Sequence, residues 1–141
     1  MAKAGPIIIV DDDRDDQEVL EFVLRDLGVQ NKLVWFTNAT DAFAHLKTTE
    51  QQPFLIFSDI NMPRQSGIEF KRDIDNDPEL RKKSIPFIFY STSVSREHVN
   101  EAYTELTVQG FFQKETSIPA IKETLKAIID YWKHCRHPNC D

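Results

Sequence analysis

Four apolar runs of this 141-residue sequence each end in side chains that can bind a cation or a phosphoryl group. In chain order these side chains are Asp11, Asp12 and Asp13, then Asp59, then Ser91 and Thr92, and then Lys114. Carboxylates about 4 Å apart repel each other by roughly 4 kcal/mol at an effective dielectric of 20. Gathered together, they either retain protons or bind a hard cation such as Mg²⁺, which prefers oxygen ligands. A hydroxyl, an ammonium and a nucleophilic carboxylate beside that cation fit phosphoryl transfer onto the carboxylate.

These side chains can meet only if the elements that precede them lie side by side. The sequence predicts five strands, at residues 7–10, 33–36, 54–57, 87–90 and 110–113. It predicts five helices: residues 15–27, residues 41–46, a helix that carries Ile68 to Ile74, residues 95–106, and a last helix from a Ser117 cap to Trp132. Strict alternation of strands and helices indicates a parallel sheet with helices on both faces. The predicted fold class is therefore α/β, a doubly wound five-stranded sheet with five helices.

The predicted first helix has an apolar face of Val19, Phe22, Val23 and Leu27, and it ends at Gly28. Asp15 and Asp16 lie in its first turn, where the helix dipole favours acidic side chains. In the last helix, Ile118 begins an apolar face that continues through Ile121 and Leu125. Residues 75–86 are polar and contain two prolines, so they predict a loop with up to one helical turn.

Ligands of an open parallel sheet bind at the carboxyl ends of its strands. Taken singly, each candidate has an ordinary structural explanation: aspartate is common in turns, Ser91 could cap a helix, and Lys114 could be a solvated lysine. Their joint placement after four different strands favours one shared site.

Composition limits the possible partners and compartments. Acidic residues outnumber basic ones by 23 to 17, and this balance argues against nucleic acid as a partner. No apolar stretch approaches the roughly 18 residues of a membrane span. The two cysteines, Cys135 and Cys140, rule out a disulfide framework and favour the cytoplasm. The length predicts one domain over residues 1–141, with a core at about 6–132 and a tail at 133–141.

Four motifs resemble the receiver domain of two-component response regulators. They are IIIVDDD (7–13), FSDINMP (57–63), IPFIFYSTS (85–93) and GFFQK (110–114), and the resemblance extends from about Pro6 to Trp132. It implies a flavodoxin-like sheet with strand order 2-1-3-4-5. It also implies a stand-alone, phosphorylation-controlled signalling module that is not an enzyme, although it takes part in its own phosphorylation and dephosphorylation.

The resemblance assigns a phosphoacceptor and a metal site. Asp59 would accept the phosphoryl group and contribute to a Mg²⁺ site. Asp12 would bind Mg²⁺ directly, Asp11 would bind it through water, and the backbone carbonyl of Asn61 would supply a further oxygen.

The resemblance also assigns the groups that respond to phosphorylation. Ser91 would be the switch hydroxyl and Lys114 would pair with a phosphoryl oxygen. Thr92 lies beside them, at a position where the family prefers Ala or Gly. Phe111 occupies the position of an aromatic residue that rotates inward on activation.

The implied partners are proteins. A sensor histidine kinase or a phosphotransfer protein would donate the phosphoryl group. A downstream protein would bind the face formed by the predicted fourth helix, fifth strand and fifth helix. The acidic chain is also compatible with a monomer that forms a homodimer on phosphorylation.

Three further features depart from the family pattern. Glu115 follows Lys114 where the family has a proline with a cis peptide bond, so we predict a trans or a strained bond. Asp13 adds a third acid, whose side chain is expected to point away from the metal. The tail from His134 to Cys140 contains two cysteines and two histidines, but its cramped spacing makes zinc a weak hypothesis beside a frayed or partner-docking terminus.

Two other functions compete with this interpretation. A haloacid-dehalogenase-type phosphohydrolase would use Asp11 as its nucleophile, with Asp11 to Asp13 as its DxD motif. Asp15 stands where that family favours Thr or Val, the chain lacks room for a cap, and Asp59 is left unexplained. A flavodoxin-like electron carrier is disfavoured because the acidic turn after the first strand would repel the phosphate of FMN.

Overall fold

The computed structural model describes residues 2–92 and 95–136 and contains one parallel sheet. Its strands are β1 (Ile7–Val10), β2 (Leu33–Phe36), β3 (Leu55–Ser58), β4 (Phe87–Ser91) and β5 (Gly110–Gln113). They are arranged in the order β2-β1-β3-β4-β5, and every neighbouring pair is parallel. The predicted fold class and strand order are therefore confirmed.

Six helices connect or follow the strands in the described residues, one more than predicted. They are α1 (Arg14–Asp26), α2 (Ala39–Thr48), α3 (Gly67–Asn76), α4 (Pro78–Lys83), α5 (Arg96–Glu105) and α6 (Ile118–His134), after a 3₁₀ turn at Ala2–Ala4. The predicted fourth and fifth helices are thus α5 and α6. Within residues 2–92 and 95–136, no helix is both long enough and apolar enough to cross a membrane.

The additional helix, α4, lies in the segment that was predicted as a loop with up to one helical turn, and at six residues it is longer than that turn. Asp77 caps it by accepting hydrogen bonds from the backbone N–H groups of Glu79 and Leu80, and Pro78 occupies its first turn. Leu80 is buried, and Ser84 ends the helix in the left-handed conformation. The prolines and bases that suggested a loop instead include the start and end signals of a short helix.

The core lies in two layers, one on each face of the sheet. Side chains of β1 alternate between them, so Ile7 and Ile9 face one layer while Ile8 and Val10 face the other. Helices α1 and α6 cover the first layer, and α2 to α5 cover the second. Strands β1, β3 and β4 are buried along their whole length, which explains their nearly continuous apolar sequences.

Two apolar residues of the predicted helix faces are exposed instead of buried. Phe22 is 61% exposed because it lies two residues from both Leu20 and Leu24, on nearly the opposite side of α1 from these buried leucines. Ile118 is also exposed. It begins α6, and the buried stripe of that helix starts one turn later, at Ile121.

Gly67 brings the start of α3 against the backbone that follows β3. Its N–H donates to the carbonyl of Ile60 at 2.8 Å. A Cβ atom at position 67 would lie 2.0 Å from the carbonyl oxygen of Asp59, far inside van der Waals contact. Only glycine therefore fits here without moving the chain on either side of Asp59.

We expect Gly67→Ala to lower the free energy of unfolding by about 3 kcal/mol, because the methyl group overpacks against rigid backbone. Gly28→Ala is the matched control: Gly28 has a positive φ of 83° but no atom within 4 Å of an added Cβ. Its cost is that of the left-handed conformation alone, about 1 kcal/mol. Urea unfolding of both variants measures the difference, and equal losses of stability would contradict the close approach at Gly67.

Candidate phosphoacceptor and metal site

Parallel pairing of β1 with β3 places Asp11 and Asp59 next to each other. Val10 and Ser58 are partners at the ends of these strands, and the N–H of Asp59 donates to the carbonyl of Val10 at 2.9 Å. The residues that follow, Asp11 and Asp59, therefore leave the sheet side by side at its carboxyl edge. Both are buried.

Lys114 joins these two carboxylates from the end of β5. Its Nζ lies 2.6 Å from Asp11 Oδ2 and 3.1 Å from Asp59 Oδ2. The Lys114 side chain is only 6% exposed. The structure thus brings together three candidates, Asp11, Asp59 and Lys114, that lie up to 103 residues apart in the sequence.

A fourth charged residue of the cluster, Asp16, was assigned only a helix-dipole role by sequence reasoning. Its Oδ2 lies 2.8 Å from Lys114 Nζ. A first-turn acid of α1 lies near the carboxyl edge of the sheet, the edge predicted to hold Lys114. The position of Asp16 in that turn could have indicated a contact with Lys114. The helix dipole alone, however, already explained an acidic residue there.

Burial disfavours the charged forms of Asp11 and Lys114, and the ion pair between them acts in the opposite direction. Burial raises the pKa of Asp11 to about 6, although hydrogen bonds from Lys114 and the Asp13 backbone act in the opposite direction. For Lys114, burial acts to lower the pKa, but the hydrogen bonds to Asp11 and Asp16 outweigh it and the pKa is raised. Lys114 is therefore a firmly protonated ammonium among acidic side chains.

The acidic side chains at this edge fit a hard cation. Asp11, Asp12 and Asp59 can each offer one carboxylate oxygen, and these three oxygens all lie within 4.8 Å of one another. Asp12 is exposed, while the other two are buried. An all-oxygen set open to water on one side suits Mg²⁺, which usually keeps several of its water ligands.

Asp13, the third acid of the run, caps α1. Its Oδ1 accepts hydrogen bonds from the N–H groups of Asp15 at 2.9 Å and Asp16 at 3.3 Å. Its own N–H donates to Asp11 Oδ1 at 2.9 Å. Asp13 thus orients a neighbouring carboxylate and starts the helix that carries Asp16.

The two carboxylate oxygens of Asp59 have different surroundings. Oδ1 accepts the N–H of Ile60 at 2.7 Å, and Oδ2 faces Lys114. The carbonyl of Asp59 accepts the Ser58 hydroxyl at 2.9 Å. Asn61, two residues further on, is exposed beside the site.

The remaining candidates lie at the ends of β4 and β5. Ser91 is buried, and its carbonyl accepts the N–H of Lys114 at 2.9 Å, while Thr92 is exposed. Phe111 is half-buried in the second core layer, with its ring 5.6 Å from that of Phe89.

The structure tests two of the expected departures from the family pattern, the peptide bond after Lys114 and the tail with its cysteines and histidines. No cis peptide bond occurs among residues 2–92 and 95–136, so the bond between Lys114 and Glu115 is trans. In the zinc hypothesis, Cys135 is a half-buried free cysteine, whereas His137 and Cys140 lie outside the described residues.

Relatives share the length and fold of this chain. Response regulator Rcp1 of Synechocystis sp. is 25% identical over 131 residues, covering 89% of this chain and 87% of Rcp1. Chemotaxis protein CheY-3 of Vibrio cholerae is 30% identical over 125 residues, covering 88% of this chain and 91% of CheY-3. The crystal structure of the phosphorylated cyanobacterial phytochrome response regulator RcpA matches with a TM-score of 0.84 at 25% identity, over 95% of this chain and 98% of that one.

A Mn²⁺-bound form of Rcp1 matches with a TM-score of 0.80 at 25% identity, over 94% of this chain and 98% of that one. The family model of the response regulator receiver domain matches residues 7–126, which include all of the clustered charges described above. The chain therefore belongs to the response regulator receiver domain family of two-component signalling.

Proposed function

We propose that Asp59 accepts a phosphoryl group from the phosphohistidine of a sensor kinase or a phosphotransfer protein. The observation that carries the proposal is the contact of one buried ammonium, Lys114, with both Asp11 and Asp59. Membership of the receiver family and the phosphorylated state of the similar RcpA support it. The chain then acts as a signalling switch and not as an enzyme with a turnover substrate.

Transfer would replace the P–N bond of the donor phosphohistidine with a P–O bond to Asp59. A carboxylate oxygen of Asp59 attacks the phosphorus, the P–N bond to the donor histidine breaks, and the bond electrons leave with the imidazole nitrogen. The Ile60 N–H holds Asp59 Oδ1 in place during the attack, and the Lys114 ammonium compensates charge on a phosphoryl oxygen.

Mg²⁺ would be held by carboxylate oxygens of Asp11, Asp12 and Asp59 together with the Asn61 carbonyl. When bound, it supplies positive charge that lets the phosphoryl dianion approach this acidic edge. The close grouping of the three carboxylates supports this assignment, as does the Mn²⁺-bound form of Rcp1.

Phosphorylation would change the face formed by α5, β5 and α6. A phosphorylated Asp59 carries close to two negative charges, which would recruit the Ser91 hydroxyl and Lys114. Movement of the β4 end would open space for Phe111, which packs against Phe89 in the same layer. The expected shift is a redistribution between two conformations separated by a few kcal/mol.

An apolar groove supports a protein partner at this face. A cavity of about 320 Å³ lies between the sheet and α6, and its lining includes Phe112 of β5 and Tyr131 and Trp132 of α6. Tyr131 is 64% exposed there. A downstream protein or a second copy of the chain would bind at this surface, in the cytoplasm, whereas the acidic composition disfavours nucleic acid.

We expect acetyl phosphate with Mg²⁺ to form an acid-labile and base-labile adduct on Asp59. Asp59→Asn should abolish the adduct, because the amide is not a nucleophile. Asp73→Asn, which changes an exposed acid of α3, should leave it intact. The measurement is mass spectrometry of the borohydride-trapped protein. Label on Asp11, with sustained phosphatase turnover, would instead support the hydrolase interpretation.

We expect Asp12→Ala to weaken Mg²⁺ binding at least tenfold, because one of three converging carboxylates is lost. The matched control is Asp13→Ser, which removes a neighbouring charge while serine preserves the cap of α1. The loss of Mg²⁺ affinity in Asp13→Ser should stay within about threefold, because a nearby charge that does not bind the ion attracts it only weakly through water and salt. Titration calorimetry measures both variants, and equal losses would contradict the assigned ligand set.

A further inference from the structure

Lys114 has a third carboxylate partner in addition to the two that the phosphoacceptor site requires. We propose that Asp16 is a positioning residue, which holds the Lys114 ammonium from the α1 side while Asp11 and Asp59 take part in metal binding and phosphoryl transfer. The proposal rests on the proposed function of Asp59.

The three N–H donors of the Lys114 ammonium match three carboxylates. Nζ lies 2.6 Å from Asp11, 2.8 Å from Asp16 and 3.1 Å from Asp59. An ammonium has three donors, so each carboxylate can receive one of them. The nucleophile, Asp59, has the longest of the three contacts. Asp16 therefore keeps the ammonium near Asp59. It does so without a shorter contact between Lys114 and Asp59 that would cover the oxygen of the nucleophile.

The surroundings leave the ammonium little room to move away. Asp16, Tyr90, Lys114 and Ile121 are among the residues that line a cavity of only about 20 Å³. Tyr90 and Ile121 are both buried. The Asp16 side chain, in contrast, is 41% exposed to solvent. Asp16 can thus contact the buried ammonium while part of its carboxylate stays in contact with water.

Asp16 is separate from the group of carboxylates that fit a cation. That group contains Asp11, Asp12 and Asp59. When Asp11 and Asp59 turn to a cation and a phosphoryl group, their hold on Lys114 weakens, whereas Asp16 can keep its contact. Without Asp16, the ammonium would either pair more tightly with Asp59 or lose its position. Both consequences would slow the transfer.

The neighbouring acid, Asp15, shows that this contact is not a general property of the first turn. Both residues are in the first turn of α1, and both backbone N–H groups are bonded to the Asp13 cap. Asp15 is exposed and makes no ion pair with any residue in the described parts of the chain. It therefore provides a control with the same change of charge and the same helix position.

The test compares Asp16→Asn, Asp16→Glu and Asp15→Asn in the full chain. The rate of Asp59 phosphorylation by acetyl phosphate is measured at saturating Mg²⁺, together with the ¹⁵N signal of the Lys114 ammonium. We expect about a tenfold lower rate for Asp16→Asn, the low end for a hydrogen bond between charged groups because Asp16 is partly exposed. Asp16→Glu should recover most of the rate, and Asp15→Asn should stay within twofold of the wild type.

The ammonium signal provides a measurement that does not depend on phosphorylation. Slow proton exchange should make it visible in the wild type and Asp15→Asn, and it should broaden or disappear in Asp16→Asn. Equal rates and signals for Asp16→Asn and Asp15→Asn would overturn the positioning role. A wild-type protein that is not phosphorylated on Asp59, but shows the expected ammonium signals, would overturn the proposed function and leave the Asp16 contact established.

Discussion

The buried ammonium of Lys114 is the charge around which the carboxyl edge of the sheet is built. Carboxylates at the end of β1, in the first turn of α1 and at the end of β3 converge on it, and its positive charge offsets the repulsion between them. Removing one partner of such a buried pair typically costs about 3–5 kcal/mol, because the remaining charge has lost its water. The strand order provides this arrangement, since β1 and β3 are neighbours and bring Asp11 and Asp59 side by side.

This arrangement also makes the site responsive to added charge. With one base among four acids, the edge has a strong excess of negative charge and favours a divalent cation. A phosphoryl group on Asp59 would place new acceptor oxygens beside Lys114 and the end of β4. Because β4 and β5 are paired up to Ser91 and Gln113, a shift at Ser91 acts directly on the strand that carries Phe111. The apolar groove is lined by Phe112 of the same strand, on the opposite face of the sheet from Phe111.

Sequence patterns predicted the strands well because β1, β3 and β4 are short, apolar and buried on both faces. The polar residues that follow β1, β3 and β5 then identified Asp11, Asp59 and Lys114 before any geometry was known. Sequence patterns were misleading where the same residue type is common in two different structural roles. Pro78 and the bases of α4 resembled a loop although they start and end a helix. Asp16 fitted the helix dipole, and its distance from Lys114 depends on how α1 packs over the sheet, which no local pattern contains.

The most direct test is the stability of Lys114→Met in the presence of EDTA. We expect its free energy of unfolding at pH 7 to fall by about 3–5 kcal/mol, because the buried carboxylates lose their common counter-charge. Mg²⁺ should then stabilise this variant more than the wild type, since a cation can replace the missing ammonium. Lys126→Met, which removes an exposed ion pair with Asp130, should change stability by less than about 0.5 kcal/mol. A Lys114→Met protein as stable as the wild type in EDTA would contradict the central role of the ammonium.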